Sequence, residues 1–300
     1  GVLAMAGVAP GDFRQNLVFT DAVGELVRRD NRWTDFSPRV VLDAHFTPGL
    51  MGYVSVTKGY KAGGYNSVQV ASRFAPEKVW NYEAGVKGVF PDARLIVNAA
   101  LYHYRYSNLQ DLTLVPNATG SGVPGYVVSA SDQKADGADL SIQWQPAAGL
   151  DLHAAGSWID ATYGHKTGVA GDDLSGQPTG VPRITWTAGL QYAWRLGAGR
   201  MAFNLDHAYR GRQRCNVDSV YEGYCSPSPN FTVLGAQNRT DARLGWTAPA
   251  GHWGVALYAN NVFDHRYVMF VNNVSAGVLG TPNAFINAPR LYGVEFHAKL

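Results

Sequence analysis

The sequence predicts an all-β fold, an antiparallel sheet of about eleven or twelve strands of the kind that walls a transmembrane β-barrel. Three observations carry this expectation. Apolar and polar residues alternate with a period of two over long windows, the mark of a strand with one apolar and one polar face. The connections between these windows alternate between short turns and long polar loops, as in a meander whose strands all cross one slab. Aromatic residues gather toward the ends of the windows.

Taken in chain order, the windows fall near 38–47, 51–62, 77–90, 94–108, 131–145, 151–164, 182–196, 200–211, 237–247, 252–263 and 289–300. A twelfth is placed within 13–33. In 79–90, Trp80, Tyr82, Ala84, Val86 and Phe90 share one parity, and Asn81, Glu83 and Lys87 the other. In 136–144, Ala138, Leu140, Ile142 and Trp144 oppose Asp139, Ser141 and Gln143. In 183–194, Ile184, Trp186, Ala188, Leu190, Tyr192 and Trp194 oppose Arg183, Thr185, Thr187, Gly189 and Gln191. The last window sets Tyr292, Val294, Phe296, Ala298 and Leu300 against Glu295, His297 and Lys299. The short turns carry Pro48-Gly49, Pro91-Asp92, Pro146, Gly149, Gly197, Gly199 and Pro249, and the long connections are 63–76, 109–130, 165–181, 211–236 and 264–288.

Composition narrows the class. The chain has 300 residues, with 25 Lys and Arg against 23 Asp and Glu, a net charge of +2 that offers no field for holding nucleic acid. At 12% aromatic and 16% charged it is too apolar for a disordered chain. No apolar run approaches the ~18 residues of a membrane helix. The start, Gly1 to Ala9, lacks a basic segment and reads as the interior of a longer chain.

Strands with one apolar face and no helices to cover it have two solutions. A soluble sandwich packs two apolar faces together. A membrane barrel turns them outward to lipid and keeps a polar lumen. Windows longer than the five or six residues of common strands favour the barrel. So do loops long on one side only, and aromatics at the strand ends, namely Phe46, Tyr53, Phe90, Trp144, Trp158, Trp186, Trp194 and Trp253.

Several stretches resemble one family. They are Phe36-Ser37-Pro38-Arg39-Val40-Val41-Leu42, the run Leu50 to Asn66, Pro76-Glu77-Lys78-Val79-Trp80-Asn81-Tyr82-Glu83-Ala84-Gly85, Tyr258-Ala259-Asn260-Asn261-Val262-Phe263-Asp264, and the ending Pro289-Arg290-Leu291-Tyr292-Gly293-Val294-Glu295-Phe296. In order and spacing this series is similar to the C-terminal barrel part of TonB-dependent outer-membrane receptors of the siderophore-receptor type, over residues 36–300, with 1–35 left unassigned inside a single 1–300 barrel domain. The resemblance implies a 22-stranded barrel filled by a plug domain, a location in the bacterial outer membrane, and TonB-dependent uptake of a scarce ligand, most often a ferric siderophore. The partners it implies are outer-membrane lipid, that ligand, and TonB acting through a plug domain not present in this chain. The ending departs from the family's usual Phe in carrying Leu300. A passive porin-like or adhesin barrel and a soluble β-sandwich binding module stand as the alternatives.

The run Lys58-Gly59-Tyr60-Lys61-Ala62-Gly63-Gly64-Tyr65-Asn66 matches neither phosphate-loop spacing, and no helix pattern follows it. It reads as a strand rising out of the membrane into an external loop. Tyr60, Lys61, Tyr65 and Asn66 there are the candidate ligand contacts, facing an anionic, aromatic-bearing ligand at the barrel mouth; girdle tyrosines and solvated lysines are the plainer reading. Cys215 and Cys225 lie in one loop with nine residues between them, along with Gly223, Pro227 and Pro229. A disulfide there suits an oxidising cell surface and stiffens the loop, with two free thiols as the alternative. None of the eight His forms an HxH or HExxH spacing, and Asp172-Asp173 reads as solvated loop before calcium ligand. No catalytic constellation, metal site or cofactor is expected.

Overall fold

The computed structural model describes residues 17–20, 26–66, 73–115, 125–168, 171–215, 235–272 and 283–299. Every regular element among them is a strand. In chain order these are β1 (Leu17–Thr20), β2 (Leu26–Arg29), β3 (Arg39–Thr47), β4 (Leu50–Lys61), β5 (Gly64–Tyr65), β6 (Arg73–Phe74), β7 (Glu77–Phe90), β8 (Leu95–Val115) and β9 (Gly125–Ala147). There follow β10 (Leu150–His165), β11 (Ile184–Leu196), β12 (Gly199–Arg210), β13 (Gln237–Thr247), β14 (Trp253–Asn260), β15 (Val268–Asn272), β16 (Asn283–Ile286) and β17 (Leu291–Ala298).

Eleven strands form one antiparallel sheet in the order β17-β14-β13-β12-β11-β10-β9-β8-β7-β4-β3. This is the expected meander, and the eleven windows map onto it one for one. It is a single sheet, not two sheets packed face to face, and among the described residues it does not close. The expected twelfth strand is different. The pair β1 and β2 forms a separate hairpin, Leu17 opposite Arg29, and joins no other strand.

The register explains the alternation. Directly opposed residues point to the same side of a sheet. One row runs Leu42, Val54, Ala84, Leu101, Ala138, Trp158 and Ile184 across seven strands. One residue along β4 and on the other side runs Asp43, Tyr53, Gly85, Ala100, Asp139, Ser157, Thr185 and Arg210. A one-residue slip anywhere would send an apolar set to the polar side.

Among the described residues nothing covers the apolar face. Leu42, Leu101, Val54, Leu140 and Ile184 are 67%, 66%, 51%, 47% and 48% exposed, which a water-facing sheet does not tolerate but a lipid-facing one requires. Aromatics bound it at both margins. At the short-turn margin Trp246 and Trp253 meet at 5.0 Å, Tyr192 and Trp194 at 5.1 Å, and Trp144 Nε1 donates to the turn carbonyl of Ala93 at 3.2 Å. Toward the loops stand Trp80 with Tyr82 and Trp186 with Tyr209. Tyr53 is not part of this belt: it lies on the polar side, where its hydroxyl donates to Glu83 at 2.6 Å.

The polar face is braced strand to strand by side chains. Ser157 Oγ donates to Asp139 at 2.6 Å, Asn98 Nδ2 to Ser141 at 3.2 Å, and Arg243 to Glu295 at 3.1 Å. Fully buried apolar side chains are few among the described residues. Leu174, Ala161, Ala135 and Tyr163 cluster where the 166–183 connection folds back over β10.

At one end the connections are tight. Gly149 takes φ 79°, and a side chain there would run into the carbonyl of Ala193. At the other end the connections are long and partly structured. Here β8 and β9 continue to Val115 and Gly125, through a stretch the sequence reads as loop 109–130. A register shift between Tyr106 and Leu109 separates the two parts, with Asn108 at φ 53° giving its N–H to Asp132 at 2.9 Å. Beyond that bulge the ladder persists to Val115 and Gly125.

Candidate ligand-binding site at the loop end

The run Lys58–Asn66 climbs from β4 through the break before β5. Lys58 Nζ donates to Asp35 Oδ1 at 2.8 Å and to the carbonyl of Phe36 at 3.0 Å, which ties residues 30–38 to β4. Its hydrogen bond, supported by that of Ser37, holds the Asp35 carboxyl below the usual carboxylate range.

The four candidate contacts occupy different settings. Lys61 is exposed, with Glu77 Oε2 at 3.9 Å. The Tyr60 hydroxyl is buried with no hydrogen-bond partner among the described residues. Tyr65 donates its hydroxyl to the Asp30 carbonyl at 3.0 Å and packs 6.2 Å from Trp33. Asn66 is buried, accepts the Val128 N–H at 2.7 Å and returns its amide to the Val128 carbonyl at 3.5 Å, as a neighbouring strand would. Gln110 fixes the base of this loop: its amide nitrogen reaches the Ala62 carbonyl at 2.9 Å and that of Ala75 at 3.2 Å, and its own N–H meets Glu77 at 3.0 Å. The run is therefore a folded unit from which Lys61 reaches solvent. Cys215 ends a described stretch and Cys225 lies outside the described residues.

Two further features belong to the polar face near the loops. Tyr102, Tyr104 and Tyr106 line β8 as a ladder, the first pair stacked at 6.3 Å and the second edge-on at 5.3 Å. Their spacing of two was legible, but a Tyr-rich strand end reads as a lipid girdle until the register shows which side it faces. The second is the 261–290 connection. Asn261, at φ 52°, donates its side-chain amide to the carbonyls of His265 at 3.0 Å and Ala288 at 3.1 Å, and accepts the His265 N–H at 3.0 Å. Asp264 accepts the Arg290 N–H at 2.8 Å and the Arg266 guanidinium at 3.0 Å, and these bonds hold its carboxyl low.

Of the calcium candidates, Asp173 accepts the Ser175 N–H at 2.9 Å. Among the described residues no group of three or more His, Cys, Asp and Glu is disposed to hold a metal. A depression of about 1050 Å³ runs along Ala44, Gly52, Ala84, Ala99 and Gly156. Its lining is mostly from the apolar side of the sheet, so it offers few polar contacts to a ligand.

Comparison with known proteins agrees with this geometry. The metal-pseudopaline receptor CntO of Pseudomonas aeruginosa (strain UCBPP-PA14) is 27% identical over 232 residues, covering 77% of this chain and 30% of that receptor. The ferrichrome outer membrane transporter/phage receptor of Escherichia coli K12 is 26% identical over 255 residues, 82% of this chain and 30% of that protein. The chain thus spans under a third of the length of these relatives. Among solved structures, the ferric yersiniabactin uptake receptor FyuA from Yersinia pestis superposes with a TM-score of 0.64 at 21% identity, over 86% of this chain and 36% of that one. The family model for the TonB dependent receptor-like β-barrel matches residues 11–262, and the chain belongs to that family.

Proposed function

We propose that this chain is part of the wall of a bacterial outer-membrane receptor that takes up a ferric siderophore or a similar scarce metal chelate, driven by TonB. The observation that carries this reading is the inverted sheet: eleven strands with an uncovered apolar face and a charge-braced polar face, in a chain of this family. The names of the relatives, receptors for metal-pseudopaline and ferrichrome, give the ligand class. Residues 1–300 act as one barrel domain whose apolar face meets outer-membrane lipid, and TonB acts through a plug domain belonging to the whole receptor. The role is transport, without catalysis, cofactor or nucleic acid.

In this reading the loop end is the external mouth, and Tyr60, Lys61, Tyr65 and Asn66 belong to the unit that presents the ligand contact. Lys61 makes the direct polar contact, and Tyr65 and Asn66 hold the loop that presents it. Cys215 and Cys225 form a disulfide that stiffens the 211–236 loop.

The deciding experiment is uptake of a panel of radiolabelled ferric chelates by iron-starved cells with and without the full-length gene. Uptake that needs both the gene and an energised inner membrane supports the reading. Permeation that persists without energy overturns it in favour of a passive pore. Non-reducing peptide mapping that finds both thiols free would remove the disulfide.

A further inference from the structure

The polar face holds a second feature at the loop end of β11–β13. Two adjacent rows of opposed residues run there. One is Ser157, Thr185 and Arg210; the other is Ala155, Thr187, Ala208 and Arg239. Small side chains in both rows leave a depression of about 360 Å³. Arg210 and Arg239 stand at its rim on neighbouring strands, two residues apart in register, and so are diagonal neighbours. Gln237 and Tyr267 also line it.

The lining itself holds two guanidinium groups and no carboxylate, and Asp241 lies beside it. Arg210 has no carboxylate partner among the described residues. Arg239 gives its Nε to Asp241 at 2.9 Å, which leaves the ends of its guanidinium fork to other acceptors. The adjacent row on the same face holds Asp206 opposite Asp241, and Asp206 Oδ1 lies 3.2 Å from His153 Nε2. The threonine hydroxyls of Thr185 and Thr187 face the same space. Two arginines at diagonal positions, beside two threonines, suit a planar, bidentate anion. The volume is at the small end of ligand pockets, so it admits one arm of a chelate and not the whole of it.

We infer that this pocket binds a carboxylate arm of the transported chelate, so that the receptor selects anionic, carboxylate-bearing ferric complexes over neutral ones. The inference rests on the uptake reading and adds the charge and donor class of the ligand.

The test uses the purified full-length receptor in detergent, with ferric citrate as the anionic probe and ferrichrome as the neutral one, followed by tryptophan fluorescence. Arg210→Ala, Arg239→Ala and Arg210→Lys are compared with the unmodified receptor. All are checked first for heat-modifiable gel mobility, so that a barrel that failed to assemble is set aside. Saturable ferric citrate binding is expected, weakened at least tenfold by either alanine and partly restored by lysine. Ferrichrome should bind at least tenfold more weakly than ferric citrate to the unmodified receptor. Alanine variants that bind ferric citrate as the unmodified receptor does overturn the pocket. Binding of ferrichrome without ferric citrate also overturns it, while leaving the uptake reading in place. If no ferric chelate is bound by the protein or taken up by cells, the uptake reading falls and this inference with it.

Discussion

His153 Nε2 on β10 lies 3.2 Å from Asp206 Oδ1 on β12, although β11 runs between them. Two strand spacings separate their backbones, and the residue they cross is Gly189, opposite both in register. A Cβ at Gly189 would collide with Asp206 Oδ1 and His153 Cε1. The glycine is thus the gap through which a second-neighbour brace passes, and such braces stiffen a wall that has almost no apolar core. Gly189→Val should separate the pair and destabilise the assembled sheet by about 1–3 kcal/mol, read as a lower temperature for the heat-modified gel shift. His153→Asn in the Gly189→Val background should add little, because the contact is already lost.

The two faces of β9 should respond oppositely to the same substitution. Leu140 sits midway along the apolar face, between Ala138 and Ile142 and opposite Ala99 and Gly156. Leu140→Arg should cost about 2–4 kcal/mol, the penalty of a cation near the bilayer midplane. Ser141→Arg, one residue along, turns to the polar side and should cost under about 1 kcal/mol. Refolding titrations into lipid vesicles compare the two. Equal costs would mean that the apolar face does not meet hydrocarbon.

Much of this fold was legible because one rule, alternation, acts wherever one face meets lipid and the other water. From Trp80 to Phe90 and from Ala138 to Trp144 the parity alone placed every side chain. The rule stops at the bulge by Asn108, where the register shifts, so the upper parts of β8 and β9 passed as loop. Tyr53 was misread for a related reason. An aromatic near a strand end is a girdle residue on one parity and a hydrogen-bond donor on the other, and only pairing with Gly85 beside Glu83 decides. The candidate site was least legible. Lys61 could be picked out by type, but the roles of Gln110 and Asp35 come from residues distant in sequence that no local pattern links.

Acid should loosen the segment before β3. The Lys58 hydrogen bond lowers the Asp35 pKa from its ordinary value of 3.8. A carboxyl that is more acidic when folded contributes stability that is complete above its unfolded pKa and is lost as pH falls through the folded value. Amide exchange across residues 30–38 should therefore be flat from neutral pH to about pH 4, after correction for intrinsic rates, and should accelerate below it. Asp35→Asn should exchange faster at neutral pH and show no further acid step. An acid step that survives in this variant would assign the titration elsewhere.

The 261–290 connection should depend on one amide. Asn261 is 3% exposed, and its side chain makes three hydrogen bonds to His265 and Ala288 while its own N–H meets Asp241 at 2.8 Å. It also holds φ 52°, a conformation that asparagine adopts more readily than alanine. Asn261→Ala leaves the His265 N–H and two carbonyls without this partner, at a cost of about 1–3 kcal/mol, and adds backbone strain. Asn261→Asp keeps the acceptor for the His265 N–H but loses the donor to both carbonyls, so it should fall between the two. Asn261→Gly relieves the backbone and loses every side-chain bond. If alanine and glycine destabilise equally, the hydrogen bonds carry the effect; if glycine restores stability, the backbone does. Limited proteolysis within 261–290 on the intact receptor should follow the same order, since this asparagine joins the two ends of the loop between β14 and β17.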